Sequence, residues 1–206
     1  MDLTQAVRAR FDGRAPEYDD STMHRSLATA VAEFVDLVGV RDVLDAGTGT
    51  GLVLRALRSR DPLLRLAGVD LSPGMLGVAR SHLPDVELVE GDATSLPFAD
   101  ASFDVVTCAT ALHLFPDGDA ALRDWLRVLR PGGRVVTATF GEMDPTQHGA
   151  AHGGTVPPPP PYPTQHDRYD SFEDLETFGA AAGLRLTRRS TWTHGHDAVL
   201  LAELRR

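Results

Sequence analysis

The run Val43-Leu44-Asp45-Ala46-Gly47-Thr48-Gly49-Thr50-Gly51, with Asp70 nineteen residues beyond Gly51, constrains this chain more than any other feature. An apolar run, a glycine-rich turn, a helical segment and a second apolar run closing on a carboxylate read as strand, loop, helix and strand. That order builds a nucleoside pocket at the carboxyl edge of a parallel sheet. The glycines let backbone approach the ligand, and the carboxylate meets a ribose diol.

Glycine spacing narrows the choice of nucleoside. A dinucleotide fingerprint needs a small residue at the sixth position, where the helix lies close to the strand. Counting from Gly47, that position is Leu52, which argues against a nicotinamide-dependent oxidoreductase. A phosphate loop ending in Gly-Lys-Ser/Thr is excluded as well, because all 20 basic residues are Arg. Asp45 adds a negative charge just before the turn, which suits an ammonium or sulfonium group better than a phosphate. The turn reads as a seat for a cationic nucleoside.

Further segments follow in order: Gly68-Val69-Asp70-Leu71-Ser72-Pro73-Gly74-Met75-Leu76, Gly91-Asp92-Ala93-Thr94-Ser95-Leu96-Pro97-Phe98, Ser102-Phe103-Asp104-Val105-Val106 and Leu129-Arg130-Pro131-Gly132-Gly133. Together with the glycine turn they make the chain resemble the class I S-adenosylmethionine-dependent methyltransferases. Within that family it resembles the small-molecule, methyltransferase type 11-like group with one compact domain. The resemblance runs through residues 11 to 140 and is looser beyond.

Strand-like runs at 43–46, 64–70, 86–90, 103–109 and 135–140 alternate with helical segments. Such alternation predicts an α/β fold with a parallel sheet, right-handed crossovers and helices on both faces. The resemblance implies a Rossmann-like, doubly wound sheet of seven strands, mostly parallel with an antiparallel last strand. A hairpin around His194-Gly195-His196 supplies that end. Leu27, Val31, Phe34, Val35 and Val38 predict a helix over 21–38, closed by Gly39. Ser72 with Pro73 opens a helix, as does Ser171 with Asp174, and a further helix over 119–129 stops at Pro131-Gly132-Gly133.

The chain is expected to form a single methyltransferase domain over 1–206, with an amino-terminal helical cap over 1–40. Residues 141–168 lack periodicity and contain five consecutive prolines, Pro157 to Pro161. They read as a substrate lid or a flexible surface excursion. No apolar stretch reaches the roughly 18 residues of a membrane span, and the start shows no secretory signal, so a cytoplasmic protein is expected. The net charge of -9 opposes nucleic-acid binding. Cys108, the single cysteine, sits in an apolar run and reads as a buried, inert thiol. The pairs His148/His152 and His194/His196 fall in loops and predict no metal site. Nothing in the sequence points to an oligomeric state.

Candidate site residues follow the motifs. Asp70 is expected to accept from both ribose hydroxyls, and Gly47, Thr48 and Gly49 to let the turn approach the methionine part of the cofactor. Asp45 either holds the amino group or braces the turn. Leu71 and Met75 flank the adenine. The resemblance further implies that Asp92 and Ala93 read the adenine edge and that Phe11-Asp12 and Tyr18-Asp19 belong to a segment closing over the cofactor. Tyr18 is then placed near the methionine carboxylate, and Ala109 at the end of the fourth strand joins the same pocket. His113, just past that strand, is the one candidate for a general base. The function expected is methyl transfer from S-adenosylmethionine to a small-molecule acceptor, leaving S-adenosylhomocysteine. The alternative is a non-catalytic cofactor-binding or regulatory protein of the same fold.

Overall fold

A computed structural model describes residues 3–141 and 162–206. The prolines 157–161, His148 and His152 lie outside the described residues, as does most of the expected lid.

Seven strands form one sheet: β1 (Asp42–Ala46), β2 (Arg65–Asp70), β3 (Glu87–Glu90), β4 (Phe103–Ala109), β5 (Leu129–Phe140), β6 (Arg185–His194) and β7 (Asp197–Arg205). Their order is β3-β2-β1-β4-β5-β7-β6. β7 is antiparallel to both β5 and β6, while β1 to β5 pair in parallel. The mostly parallel, doubly wound sheet is therefore as expected, with its reversed strand inserted between β5 and β6. Strand order reverses beside β1, which opens a crevice at the carboxyl ends of β1 and β4.

The period of two along a strand divides the core. Leu44, Ala46, Val106 and Cys108 face one layer with α5 (Gly118–Val128) and α6 (Phe172–Ala180). Val43, Val105, Val136 and Ala138 face the other, against α2 (Thr22–Phe34), α3 (Leu52–Arg60) and α4 (Pro73–His82). Strands buried on both faces favour apolar residues at every position, and all five residues of β1 are buried, with Asp42 and Asp45 as the charged exceptions. The helices start where side-chain caps satisfy orphan amides: Ser72 Oγ accepts from Met75 N, Asp117 from Ala120 N and Ser171 from Asp174 N.

Two boundaries differ from the sequence expectation. α2 ends at Phe34 rather than running to Val38, and Val38 is 84% exposed. Asp36 Oδ1 accepts from Val38 N in a local turn, and Arg60 donates to the carbonyls of Ala32 and Val35, so side chains satisfy the groups a longer helix would have paired. Pro131-Gly132-Gly133 lies inside β5 rather than ahead of it. Leu129 pairs with Phe103 and Arg134 with Val105, leaving the intervening residues as an irregularity in the ladder.

Trp125 links the layer of α5 and α6 to the site. It is fully buried on α5, and its indole Nε1 donates to the Ala93 carbonyl at 2.9 Å. Trp125→Phe leaves that buried carbonyl without its donor, at a cost of about 1–3 kcal/mol. Thermal denaturation should show a lowered Tm, and an unchanged Tm would show that the bond contributes nothing.

Candidate active site

The carboxyl ends of β1, β2, β3 and β4 meet the amino-terminal helix α1 (Leu3–Arg14) around a cleft of about 780 Å3. The structure brings most of the predicted residues to it. Gly47, Gly49, Asp70, Leu71, Met75, Asp92, Ala93, Ala109 and Tyr18 all line this cleft. Asp45 and Thr48 line an adjoining cavity of about 440 Å3 that shares Tyr18, Gly47, Gly49 and Ala109 with it.

The turn after β1 is held from below. Gly47 N and Thr48 N both donate to the Val69 carbonyl, fixing the loop to β2. Gly47 has φ +76°, and a Cβ there would stand 2.7 Å from Ala111 Cβ, so neither the backbone nor the space admits a side chain. Gly49, at φ +55°, has nothing within 4 Å of where its Cβ would be, so the backbone here opens onto the cleft.

Asp70 closes β2 with both oxygens already engaged by backbone. Oδ2 accepts from Gly49 N at 2.7 Å and Oδ1 from Ser72 N at 2.9 Å. The carboxylate therefore ties the first loop to the second. A carboxylate has about four acceptor positions, so capacity remains for a diol. Burial pushes the Asp70 carboxyl above its ordinary value, against the lowering effect of the Ser72 and Gly49 amides.

Asp45, at 2% exposure, accepts from Thr107 Oγ1 at 2.6 Å. Burial pushes its carboxyl up to about 6 despite that bond. Met75 is buried and Leu71 half-buried, on the stretch from β2 into α4. Asp92 is exposed, and its Oδ1 accepts from Thr94 N at 2.8 Å, which shapes the turn holding Ala93.

The amino-terminal segment is latched to both loops by two aspartates. Asp12 Oδ1 accepts from Ser72 Oγ at 2.5 Å and from Gly74 N at 2.9 Å. Asp19 accepts from Thr50 Oγ1 at 2.6 Å and forms an ion pair with Arg55. Between them Tyr18 stacks on His24 at 4.1 Å between ring centroids, and burial raises its hydroxyl pKa.

His113 is placed differently from the other candidates. It is buried, lies outside the lining of both cavities, and stacks on His166 at 3.9 Å with Phe140 edge-on at 6.2 Å. Burial, with the neighbouring His166, pushes its pKa down to about 3, so it is neutral at physiological pH. Cys108 is fully buried and burial raises its thiol pKa, as an inert thiol requires. Among the described residues no His, Cys, Asp and Glu cluster fit to hold a metal occurs.

Thr110 was not singled out by the sequence. It lines both cavities and has φ +52°, a conformation rare for a β-branched residue, held where its backbone N–H donates to the Ala138 carbonyl at 2.7 Å. Its only signal was position, directly after the carboxyl end of β4.

The fold is Rossmann-like α/β, with a cleft at its topological switch point. Comparison with known proteins narrows this class. A family model described as a methyltransferase domain matches residues 44–137. A demethylmenaquinone methyltransferase of Renibacterium salmoninarum is 39% identical over 140 residues, covering 65% of this chain and 58% of that protein. A malonyl-[acyl-carrier protein] O-methyltransferase of Hahella chejuensis is 34% identical over 168 residues, 78% of this chain and 57% of that protein. The chain thus spans less than two thirds of the length of these relatives. The solved magnesium protoporphyrin IX methyltransferase of Synechocystis, with bound S-adenosylmethionine, superposes with a TM-score of 0.70 at 17% identity, covering 100% of this chain and 98% of that one. Over residues 44–137 the chain matches a methyltransferase domain, and its relatives and structural neighbours are class I S-adenosylmethionine-dependent methyltransferases, the family it resembles.

The residues present fit the cofactor of that family. Gly49 leaves room where a side chain would intrude, a half-buried carboxylate stands at the end of β2, and Leu71 and Met75 supply apolar surface beside it.

Proposed function

We propose that this chain transfers the methyl group of S-adenosylmethionine to a small-molecule acceptor. The observation that carries the reading is the convergence of Gly49, Asp70 and the Asp92-Ala93 turn on one cleft at the carboxyl ends of β1 to β3. In this reading Asp70 accepts from the ribose diol, Leu71 and Met75 sandwich the base, and the Asp92-Ala93 turn reads its edge. Asp45 offsets the positive charge near the turn, and Tyr18 closes the methionine end.

When bound, the cofactor supplies a methyl group on a positively charged sulfur, which is already a good leaving group. The protein's part is then alignment and exclusion of water. Phe11, Tyr18, Leu114 and Phe115 supply apolar walls of the cleft and serve that exclusion. A neutral His113, outside the lining, is better suited to bracing the segment behind Leu114 than to accepting a proton from the acceptor.

One relative is named for a small molecule, demethylmenaquinone, which favours a small-molecule acceptor, and another for a malonyl group borne on an acyl-carrier protein. The acidic composition disfavours nucleic acid. No helix among the described residues is long and apolar enough to cross a membrane, which supports a cytoplasmic location.

Thermal shift with S-adenosylmethionine, S-adenosylhomocysteine and NADH tests the cofactor, because a ligand stabilises only a fold that binds it. The first two should raise Tm and NADH should not. A rise with NADH alone would overturn the reading. Mass spectrometry of a metabolite mixture incubated with protein and cofactor should show a product heavier by one methyl, which separates an enzyme from a non-catalytic binder.

A further inference from the structure

Beyond the part built by Asp70, Leu71 and Met75, the cleft continues between Phe11, Tyr18, Leu114 and Phe115. Arg10 and Arg14 stand four residues apart on α1, one turn along its surface. The Arg14 guanidinium lies 5.2 Å from the Tyr18 ring centroid and 5.7 Å from that of Phe11, so it is held against two rings that line the cleft. Burial raises the Tyr162 hydroxyl pKa, and the positive charges of Arg10 and Arg14 act against that rise. Tyr162 is 8% exposed, at the start of the segment whose Gln165 donates to the carbonyls of Phe115 and Pro116. Arg14 therefore stands beside two residues of the cleft wall, with Arg10 one turn earlier on α1.

The two arginines differ in their partners from their neighbour on α1. Arg8, on the same helix, pairs with Glu90 at 2.9 Å and approaches Asp12. Neither Arg10 nor Arg14 meets a carboxylate among the described residues. Like charges one turn apart on a helix repel, so the arrangement is unfavourable until an anion arrives. A local positive site on a chain of net charge -9 also concentrates anions there rather than over the surface at large. Guanidinium groups bind carboxylate and phosphate through paired hydrogen bonds, and Arg14 is already oriented by the rings beneath it.

Granted the methyl-transfer reading on which it rests, we propose that Arg10 and Arg14 anchor an anionic group, carboxylate or phosphate, on an aromatic methyl acceptor whose ring lies against Phe11 and Tyr18. The arginines act as specificity-determining residues and take no part in the chemistry.

The test uses the full chain saturated with S-adenosylhomocysteine, titrated calorimetrically with 3,4-dihydroxybenzoate, 4-hydroxyphenyl phosphate and the neutral 3,4-dihydroxybenzamide. At least one anion should bind about tenfold tighter than the amide, and whichever does identifies the anionic group. In Arg10→Gln/Arg14→Gln that preference should fall to near unity, while the Kd for S-adenosylhomocysteine stays within about twofold; Arg10→Lys/Arg14→Lys should keep part of the preference. Three outcomes overturn the proposal: the amide binding as well as both anions, no anion binding at millimolar concentration, or an undiminished preference in the glutamine variant. If the variant instead loses affinity for S-adenosylhomocysteine with the anion preference intact, the arginines serve the cofactor and the proposal fails. Wild-type protein that does not bind S-adenosylhomocysteine at all overturns the cofactor reading itself, a separate failure.

Discussion

Asp70→Asn is expected to weaken S-adenosylmethionine binding by about a hundredfold or more. Each charge-assisted hydrogen bond to the ribose diol is worth about 1.5–3 kcal/mol, so two of them exceed what a hundredfold loss requires. The amide does further damage. Both Asp70 oxygens accept backbone N–H groups, from Gly49 and Ser72, and whichever position becomes the amide nitrogen then opposes a donor with a donor. The loop after β1 loses its tie to β2's end, so the lost affinity includes ordering of the turn. Calorimetric titration of the variant checks the size of the effect, and an affinity equal to wild type removes Asp70 from the site. Asp92 makes a useful contrast. It is exposed and bonds only its own turn, so Asp92→Asn should cost far less.

The reasons Asp70 was legible in sequence explain what else was. A strand buried on both faces must be apolar until it emerges, so a carboxylate ending such a run marks the carboxyl edge where ligands bind. β1, β2 and β4 announce themselves in this way, and Gly47 and Gly49 mark the turn because no side chain fits its backbone. α1 carries no such signal. Its apolar residues Leu3, Val7 and Phe11 face the cleft, so it has too narrow a stripe to register as a core helix. The latches made by Asp12 and Asp19 depend on partners some thirty to sixty residues away, which local pattern does not encode. The early end of α2 has the same origin: Arg60 caps it from another helix. His113 illustrates the converse. Its position after β4 suggested a base, but whether that side chain turns into the cleft or behind it depends on His166 and Phe140, which arrive from elsewhere in the chain.

Asp45→Asn is expected to make the protein without cofactor more stable and its cofactor binding weaker. Asp45 has a folded pKa of about 6 against 3.8 without burial, a difference of about 3 kcal/mol. The sign follows from proton binding: between those two values the folded state holds more protons at this site than the unfolded chain. Stability from this group is therefore greatest below pH 3.8, falls as pH rises towards 6, and stays at its lowest above. The neutral amide escapes that penalty while its oxygen still accepts from Thr107. Thermal denaturation should show the variant more stable than wild type at pH 8 and closely matched to it near pH 4. Binding runs the other way. A cationic ligand beside Asp45 favours the carboxylate, so wild-type affinity should fall as pH drops below 6, with one proton released on binding there. Asp70, buried nearby with a raised pKa of its own, titrates in the same direction, so Asp45→Asn isolates the part due to Asp45. The variant should lose about tenfold or more in affinity at pH 8 and show a flatter pH profile. An unchanged profile would mean that Asp45 only braces the turn through Thr107. The ionised carboxylate would then be a burden to the fold with no return in binding, an arrangement difficult to reconcile with its place at the end of β1 beside the cleft.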